Sequence, residues 1–521
     1  MNPGPPALYL LNTERRYIDG NEKKVRRWTY GQKAQNKQNK VILMVGETGA
    51  GKTSIINTMT NYLLGVKFED EEFYQITEEE HNDQSQSQTS EITVYEVFAE
   101  ENPISLTVID TPGYGDTGGY EKDEVISKYL SKLFSDEDGI HEIDIVCFVM
   151  KASQNRLSDK ELYLFHSVLS LFGRDIKNNI VFLLTHSDGG PPTDALNAIN
   201  AAEMPCRRDE DNEPVHFLFN NRQKEQRDQR YRRVLKSSWE MGEESMSEFM
   251  NLLNENNRKS LQMTLDVLKE RSRLEACVSN LKDRITEREL KTDEVTQIQE
   301  AIKQNKDKIE KCEDFHFTVN RVFKEKVFIQ NESRWNQYAT CCNVCQENCH
   351  EWGCWWVKDV SKCSVMKNDH CTACTGKCHY SKHVKENKKY VMKIKKVTMT
   401  FDELKQEYNR TGEMTEISFV QKKEPQSSRK HSGNKTETEE NLSSKLEMIK
   451  TEKSNLLHEA YVSIMSLSKI ALKADSAFTL QHLDFLISKL KEEGKSYWMK
   501  NLEEMRKAIK ELKNTGAFRY L

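Results

Sequence analysis

The chain has no long apolar run and only a small excess of charge of one sign. Its longest apolar stretches are short, such as residues 145–150, whereas a helix that spans a bilayer needs about 20 apolar residues. The formal net charge is -5 over 521 residues, which gives no strong field toward nucleic acids or membrane surfaces. The sequence therefore predicts no transmembrane segment and does not favour nucleic acid as a partner.

The N-terminal residues also lack the apolar core of a secretion signal, and charged residues follow soon after them. We therefore expect a cytoplasmic protein, whose 13 cysteines would be thiols or metal ligands rather than disulfides. Charged residues make up 31% of the chain and hydrophobic residues 37%, a balance typical of a polar protein with much exposed helix. The length predicts several domains.

Residues 46–53 read GETGAGKT, between an apolar stretch at 41–45 and a helix-compatible stretch at 54–64. Strand, glycine-rich turn and helix is the order that a phosphate-binding P-loop requires. Backbone N–H groups in such a turn point inward and bind phosphate. We expect Lys52 to contact the β- and γ-phosphates and Thr53 to bind Mg²⁺. An ordinary glycine turn is the alternative. The predicted phosphate-binding residues are Gly46, Glu47, Thr48, Gly49, Ala50, Gly51, Lys52, Thr53 and Ser54.

Two further features fit a nucleotide switch. The acidic, then Gln/Ser-rich residues 69–90 predict a mobile loop, and Thr89 is the candidate in it for closing on Mg²⁺ and the γ-phosphate, with Thr93 in reserve. A predicted strand at 105–110 ends in Asp110, which would hold a Mg²⁺-bound water. The N–H of Gly113 would sense the γ-phosphate. A plain turn at the strand end is the alternative for residues 110–113.

The identity of the base is predicted from a later strand. Residues 180–184 form an apolar run that ends in Thr185, His186, Ser187 and Asp188. A carboxylate at Asp188 would accept hydrogen bonds from N1 and the 2-amino group of guanine, and adenine offers no such pair. His186 would lie against the base plane. A further strand at 215–219 ends in Asn220 and Asn221, whose amides would donate to guanine O6 or stack beside the ring.

These motifs, together with residues 156–161 (RLSDKE) and 219–221 (FNN), resemble the AIG1-type GTPases, a septin-related branch of P-loop GTPases. The resemblance covers roughly residues 40–235. It implies an α/β P-loop GTPase domain with a doubly wound, mostly parallel sheet. It also implies binding of GTP or GDP with Mg²⁺, weak hydrolysis, and homodimers or oligomers formed through the G domain. The second half of the chain resembles no family that we can name.

The chain departs from the general GTPase pattern at two positions. It has His186 where many GTPases have lysine, and Tyr114 rather than a water-orienting glutamine after residues 110–113. Because phosphoryl transfer to water depends on positioning and charge stabilisation, we expect slow hydrolysis, with Lys52 and Thr89 as catalytic residues. A partner's Arg156 or His186 would supply what is missing. Nucleotide binding without significant hydrolysis is the alternative.

Residues 222–233 are basic and predict a helix. Residues 246–312 contain neither proline nor glycine and predict a long helix, with an apolar repeat every seven residues that begins at Val267 and Leu274. We expect an antiparallel hairpin or an imperfect coiled coil. Polar residues in the repeat, such as Arg288, weaken its apolar seam.

Nine cysteines lie between residues 341 and 378, in two copies of one pattern. Three thiolates and an imidazole in each copy suffice for a tetrahedral Zn²⁺, and we expect a structural zinc site that engages a partner. The partition into sites stays open, since Cys354, Cys363, His370 and His383 are spare candidates. A disulfide knot and inert thiols are the alternatives. The predicted ligands are Cys342, Cys345, Cys349, His350, Cys371, Cys374, Cys378 and His379.

Alternating residues 315–329 and 391–401 predict two strands that would form a stalk for the zinc insertion at 341–383. Residues 425–441 predict disorder, and the residues after 442 predict two or three helices. The predicted divisions are an N-terminal extension (1–39), a G domain (40–235), a helical segment (236–313), the stalk and insertion (314–401), a short helix and linker (402–441) and C-terminal helices (442–521).

Three functions are compatible with these features. The first is a scaffold operated by GTP, in which the helical and zinc regions engage unknown partners. The second is an enzyme that uses ATP, against which Asp188 argues. The third is a zinc-stabilised interaction module whose G domain binds nucleotide without significant hydrolysis.

Overall fold

The fold is described by a computed structural model, which covers residues 6–18, 25–34, 36–77, 91–100, 102–111, 129–255, 257–310, 316–330, 338–351, 357, 359–400, 402–403, 435–470 and 477–512. The chain divides into two compact units. The first consists of residues 1–268, 466–484 and 500–521, and the second of residues 269–465 and 485–499.

The strands of the first unit are β1 (Ala7–Leu10), β2 (Glu14–Tyr17), β3 (Val25–Gly31), β4 (Gln38–Val45), β5 (Glu72–Gln75), β6 (Ile92–Phe98), β7 (Ile104–Asp110), β8 (Glu142–Ile143), β9 (Ile145–Lys151), β10 (Ile180–Thr185), β11 (His216–Leu218) and β12 (Lys259–Ser260). Eight of these strands form one sheet in the order β11-β10-β9-β4-β7-β6-β3-β2. Neighbours from β11 to β7 run parallel, whereas β6 is antiparallel to β7 and β2 to β3. The four other strands form two short pairs, β1 with β5 and β8 with β12.

The predicted mainly parallel α/β sheet is confirmed. Its central strands β4, β9 and β10 are continuous apolar runs because both faces of a parallel sheet are covered. The chain proceeds to opposite sides of β4, through β7 on one side and β9 on the other. In open α/β sheets, the carboxyl ends of the strands at such a point are where ligands bind. The first helices are α1 (Lys52–Leu63), α2 (Asp159–Leu169), α3 (Thr193–Ala201) and α4 (Arg232–Asn254).

The N-terminal residues extend this sheet, whereas the sequence predicts only an N-terminal extension (1–39) outside the G domain. Strand β3 pairs in parallel with β6 along seven residues. Because β3 contains basic residues, the sequence does not show the apolar pattern that would predict a strand here. One of these basic residues, Arg27, is buried. The Nη2 of Arg27 donates a hydrogen bond to the carbonyl oxygen of Asp138 at 2.8 Å, which gives the buried guanidinium a partner.

Two helix predictions after the G-domain motifs need correction. Residues 222–231 form turns and irregular structure, and the helix begins only at Arg232. The long helix predicted from residue 246 is interrupted, since α4 ends at Asn254 and β12 pairs with β8 before the next helix starts at Gln262. Residues 254–257 read NENN, and asparagine favours turns through its side-chain hydrogen bonds even where proline and glycine are absent.

The second unit contains a 43-residue helix and a long hairpin. The helices are α5 (Gln262–Gln304), which begins in the first unit, and the short α6 (Lys306–Glu310). The hairpin pairs β13 (His316–Phe328) with β19 (Lys388–Thr400) through 13 residue pairs. The two alternating segments of the sequence thus lie side by side, with the cysteine-rich residues between them in the chain.

The apolar seam of α5 is buried, but a coiled coil is not confirmed. Val295, Ile298 and Ile302 pack against Phe317 and Met399 of the hairpin. A stripe at heptad spacing predicts that one helix face is covered, but it does not specify whether a helix or a sheet covers it.

The cysteine-rich residues form short strands rather than a large core. These are β14 (Ala339–Cys342), β15 (Glu347–His350), β16 (Met366–Lys367), β17 (His370–Cys371) and β18 (His383–Glu386). Strand β14 lies between β15 and β18, and it is antiparallel to both.

Three helices follow: α7 (Lys435–Ile470), α8 (Ala477–Glu492) and α9 (Ser496–Leu512). The residues 435–441, predicted as disordered, belong to α7, and most of the remaining predicted linker lies outside the described residues. No helix in the described part of the chain combines the length and the apolar character that a bilayer crossing requires.

Candidate nucleotide site and cysteine cluster

The P-loop follows β4 and depends on glycine for steric reasons. A Cβ at Gly46 would lie 2.5 Å from the carbonyl oxygen of Val149, on the neighbouring strand β9. Gly51 caps α1 with a φ of 97°, where side chains are disfavoured, and a Cβ there would lie 3.1 Å from Thr185 Cγ2. The turn thus fits closely between strands β9 and β10, and it leads directly into the N-terminus of α1.

Lys52 is the first residue of α1, and its side chain turns back over the loop. Its Nζ donates hydrogen bonds to the carbonyl oxygens of Gly46 at 2.7 Å and Glu47 at 3.1 Å. Burial lowers the pKa of Lys52, while Asp110 and Glu47 raise it. The ammonium group therefore lies at the phosphate-binding turn, where an anion would replace its carbonyl partners.

Asp110 ends β7 beside the P-loop. It is buried, and its Oδ1 has no hydrogen-bond partner among the described residues. Burial raises the pKa of Asp110 to about 6, against the opposing effect of Lys52. A buried carboxylate oxygen without a donor suits a hard cation and its water shell, so these residues fit the magnesium that a P-loop nucleotide carries.

The remaining Mg²⁺ and switch residues are only partly described. Thr53 and Ser54 lie half-buried in the first turn of α1. Thr89 and Gly113 lie outside the described residues. The reserve candidate Thr93 lies in β6 directly opposite Asp110, and its Oγ1 accepts a hydrogen bond from Arg26 Nε at 3.3 Å.

The predicted base contacts follow β10. Thr185 donates through Oγ1 to the carbonyl oxygen of Ala50 at 2.7 Å, which joins this strand end to the P-loop. His186 has a φ of 55° and an exposed ring, and partial burial together with Lys151 lowers its pKa. The Oδ1 of Asp188 accepts the N–H of Gly190 at 2.9 Å, which holds this exposed carboxylate in a turn.

The two asparagines that follow β11 have different environments. Asn220 Nδ2 donates to the carbonyl oxygen of Ser187 at 3.0 Å and so supports the loop before Asp188. Asn221 Oδ1 accepts from Thr58 Oγ1 of α1 at 3.1 Å, but its Nδ2 is buried with no partner among the described residues. Asn221 therefore retains the donor that the predicted contact to guanine O6 requires.

Residues 156–161 contact the P-loop through hydrogen bonds. Glu161 Oε2 accepts the N–H of Ser158 at 2.8 Å, and the N–H of Glu161 donates to Ser158 Oγ at 3.1 Å, which forms a reciprocal cap on α2. Ser158 Oγ also donates to Glu47 Oε1 at 3.1 Å. A movement of Glu47 in the P-loop would therefore be transmitted to α2 through Ser158. The spacing in the sequence does not predict this contact.

Residues 40–267 match the model of the AIG1 family. This segment is an AIG1-type G domain. The family match covers less than half of the chain and leaves the cysteine-rich residues unassigned.

Individual relatives of the AIG1-type G domain are distant. Translocase of chloroplast 34 from Arabidopsis thaliana is 24% identical over 159 residues, which are 30% of this chain and 42% of that protein. The aligned part thus spans about two fifths of that relative's length. Toc33 from Arabidopsis thaliana, solved with Mg²⁺ and GMPPNP, shows 14% identity and a TM-score of 0.30 over 43% of this chain and 88% of its own. Elongation factor SelB from Methanococcus maripaludis, solved with a GTP analogue, shows 14% identity and a TM-score of 0.24 over 43% of this chain and 35% of its own.

Outside the AIG1-type G domain, the cysteine-rich residues converge in two groups. Within each group the potential ligand atoms all lie within 4.8 Å of one another. One group is Cys342, Cys345, Cys374 and Cys378, and the other is Cys349, Cys371, Cys374 and His383. Each group mixes residues of both sequence repeats, whereas the repeat pattern suggests one set of ligands per copy.

Two predicted ligands lie outside these groups. His350 Nδ1 lies 3.3 Å from Cys363 Sγ, and its Nε2 lies 3.4 Å from Ser272 Oγ. His379 caps the 3₁₀ turn Tyr380–Lys382, where its Nδ1 accepts the N–H of Ser381 at 3.3 Å. The imidazole among the thiols belongs instead to His383, one of the spare candidates. Its strand β18 pairs with β14 so that His383 lies opposite Cys342, and this pairing is the signal that the sequence alone does not supply.

Proposed function

We propose that the AIG1-type G domain binds GTP and GDP with Mg²⁺ and acts as a nucleotide-dependent switch. The observation that carries the proposal is the convergence of Lys52 and the unpartnered Oδ1 of Asp110 beside the P-loop. A cation for phosphate and a carboxylate for the magnesium shell are the two charges that a Mg²⁺–triphosphate requires. Thr53 would bind the metal from the first turn of α1.

The selection of guanine would rest on Asp188 and Asn221. The carboxylate of Asp188 is already oriented by the N–H of Gly190. The buried Nδ2 of Asn221 would donate to O6, an acceptor that adenine lacks at that position. His186 would cover one face of the base. If the bound nucleotide were ATP, adenine would offer no matching hydrogen-bond partner to the Asp188 carboxylate or to Asn221 Nδ2.

Hydrolysis would be slow and would depend on pairing of G domains. Lys52 would stabilise the transferring phosphoryl group, and Thr89 would close on it as the switch threonine. The exposed Arg156 and His186 would be available to complete the site of a second copy. In the alternative, the G domain binds nucleotide without significant hydrolysis and stabilises an interaction module.

We further propose that the cysteine-rich residues bind Zn²⁺ as a structural ion and that this region, with the helical segment, engages protein partners. The free thiols and the imidazole form the ligand set that zinc prefers. The cytosol predicted from the sequence would keep these thiols reduced.

Native mass spectrometry of the full chain with GDP and with a slowly hydrolysed GTP analogue tests the switch. We expect one guanine nucleotide per chain in both samples and a dimer in the analogue sample only. Lys52→Ala should lose the nucleotide and the dimer, whereas Lys236→Ala, which removes an exposed lysine on α4, should keep both. A chain that binds neither nucleotide would overturn the proposal, and a chain that binds both but stays monomeric would leave only the alternative module.

A further inference from the structure

The two groups of cysteine and histidine ligands share one residue, Cys374. Together they comprise six cysteines and one histidine. Two tetrahedral ions that share one ligand need seven ligands in total, because the shared ligand occupies a corner of both tetrahedra. We propose that the region holds two Zn²⁺ ions bridged by the thiolate of Cys374, one with four sulfur ligands and the other with three sulfurs and His383. This inference rests on the proposed zinc binding and specifies its stoichiometry and connectivity.

The spacing of the sulfur atoms supports the assignment. Cys345 Sγ and Cys378 Sγ, from different sequence repeats, lie 3.7 Å apart. A tetrahedron with Zn–S bonds of about 2.3 Å has an edge of about 3.8 Å, whereas two disulfide-bonded sulfurs are about 2.05 Å apart. This edge of the first group thus has the length expected in a tetrahedral thiolate site.

Backbone N–H groups point at the sulfur atoms in the manner that thiolates require. Cys342 Sγ accepts the N–H of Cys345 at 3.4 Å, and Cys345 Sγ accepts that of Gly376 at 3.3 Å. The proposed bridge, Cys374 Sγ, accepts the N–H of Cys378 at 3.3 Å. Six thiolates and two dications leave about two negative charges, and these donors disperse them without a further cation.

The ring of His383 is held in the orientation of a metal ligand. Its Nδ1 lies 3.1 Å from the carbonyl oxygen of His379, which can only accept, so Nδ1 carries the proton. In the neutral imidazole Nε2 then carries the lone pair, and this nitrogen is buried with no hydrogen-bond partner among the described residues. A metal ion in the second group would give this nitrogen the partner that its burial demands.

Glu347 stabilises the loop that contains the proposed bridging residue, Cys374. It is buried, and its Oε2 accepts the N–H of Thr375 at 3.0 Å and Asn280 Nδ2 of α5 at 3.2 Å. Thr375 Oγ1 also donates to Glu347 Oε1. Glu347 is a positioning residue, since it fixes Thr375, next to Cys374, against α5 without being one of the seven ligands.

Metal counting followed by ¹¹³Cd NMR of the full chain tests the bridge. We expect two zinc ions per chain, and after exchange two ¹¹³Cd resonances that are split by scalar coupling through the shared sulfur. Two uncoupled resonances, or one ion per chain, would overturn the bridge while zinc binding stands. A chain without bound metal would overturn zinc binding as well. None of these outcomes depends on whether the G domain binds nucleotide.

Variants test the connectivity independently. Cys374→Ser removes a ligand from both ions and should reduce the zinc that survives dialysis against a weak chelator from two ions to fewer than one, whereas Cys378→Ser should retain one. His383→Ala should lose one ion and His379→Ala none. Cys341→Ser is the matched control, because Cys341 is buried beside the cluster but its Sγ donates to Asn348 Oδ1 at 3.5 Å. Equal losses in the Cys374 and Cys378 variants would contradict a shared ligand.

Discussion

The buried side chains of Lys52 and Asp110 act on each other across the P-loop crevice. Each shifts the pKa of the other toward its charged form, while burial shifts both toward the neutral form. For Asp110 burial has the larger effect, and its pKa rises to about 6. Without bound ligand, the crevice therefore carries an electrostatic cost that a magnesium ion and a phosphate would relieve.

This cost predicts a pH dependence of stability. The folded-state pKa of Asp110 lies above its ordinary value of 3.8. The stability that the protonated Asp110 contributes is therefore fully present below about pH 4 and is lost as the pH rises through about 6. The difference of about two pKa units corresponds to about 3 kcal/mol. Asp110→Asn should therefore be more stable than the unmodified chain at pH 8, by up to that amount, but not at pH 4.

Urea unfolding without nucleotide and Mg²⁺ measures this difference at both pH values. Asp194→Asn, which changes an exposed carboxylate in the first turn of α3, is the control and should show no such trend. With GDP and Mg²⁺ at pH 8, the unmodified chain should instead be more stable than Asp110→Asn, since only the unmodified chain can hold the metal's water shell. An Asp110→Asn chain with the pH slope of the unmodified protein would contradict the assignment of the raised pKa.

A substitution at Asp188 should change the base specificity from guanine to xanthine. An amide in place of the carboxylate can donate to the 2-carbonyl oxygen of xanthine but no longer accepts two N–H bonds from guanine. Asp188→Asn should therefore weaken binding of GDP by a factor of about 100 or more, as expected when a paired polar site loses its match, and should bind xanthosine diphosphate better than GDP. Fluorescence titration with labelled diphosphates measures both, and unchanged affinity for GDP would exclude Asp188 as the selector.

The P-loop glycines should differ in their tolerance of alanine. At Gly46 a Cβ would meet the backbone oxygen of Val149, so Gly46→Ala should destabilise the chain by about 1–3 kcal/mol and impair nucleotide binding. At Gly49 the φ is 79° but no atom lies within 4 Å of an added Cβ, so Gly49→Ala should cost only the strain of a left-handed residue, about 1–2 kcal/mol. Thermal unfolding with and without GDP compares them, and if Gly49→Ala lost more GDP affinity than Gly46→Ala, steric crowding would not be the governing effect.

Gly376 should be required for metal retention. A Cβ there would lie 3.1 Å from Cys378 Sγ and 3.2 Å from Cys345 Sγ, two atoms that a bound ion would hold in place. Gly376→Ala should therefore release zinc to a competing chelator at a lower chelator concentration. Gly242→Ala, on α4 with an added Cβ 4.0 Å from Phe219, is the control and should release zinc as the unmodified chain does. Equal release from both variants would remove the steric argument for Gly376.

The sequence predicts the centre of the G-domain sheet well because burial on both faces imposes continuous apolar runs, as in β9 and β10. It does not predict β3, since Arg27 is buried there through a partner 111 residues away in the chain. A partner so distant leaves no periodic signal.

The cysteine cluster shows the same limit. Repeat spacing identifies all six thiols of the two groups, because ligand types and short spacings are local features. It does not identify His383 as the imidazole, since that choice depends on the pairing of β14 with β18. Nor does it show that each group draws on both repeats, which is a consequence of the tertiary fold.

The central claim is that Lys52, Asp110 and Asp188 together bind a guanine nucleotide with magnesium. Isothermal titration calorimetry of the full chain with GDP and with ADP, each with Mg²⁺, tests it most directly. The account predicts saturable binding of one GDP per chain, loss of that binding in Lys52→Ala, and no measurable heat with ADP. Equal affinity for GDP and ADP, or the absence of binding to a folded chain, would contradict it.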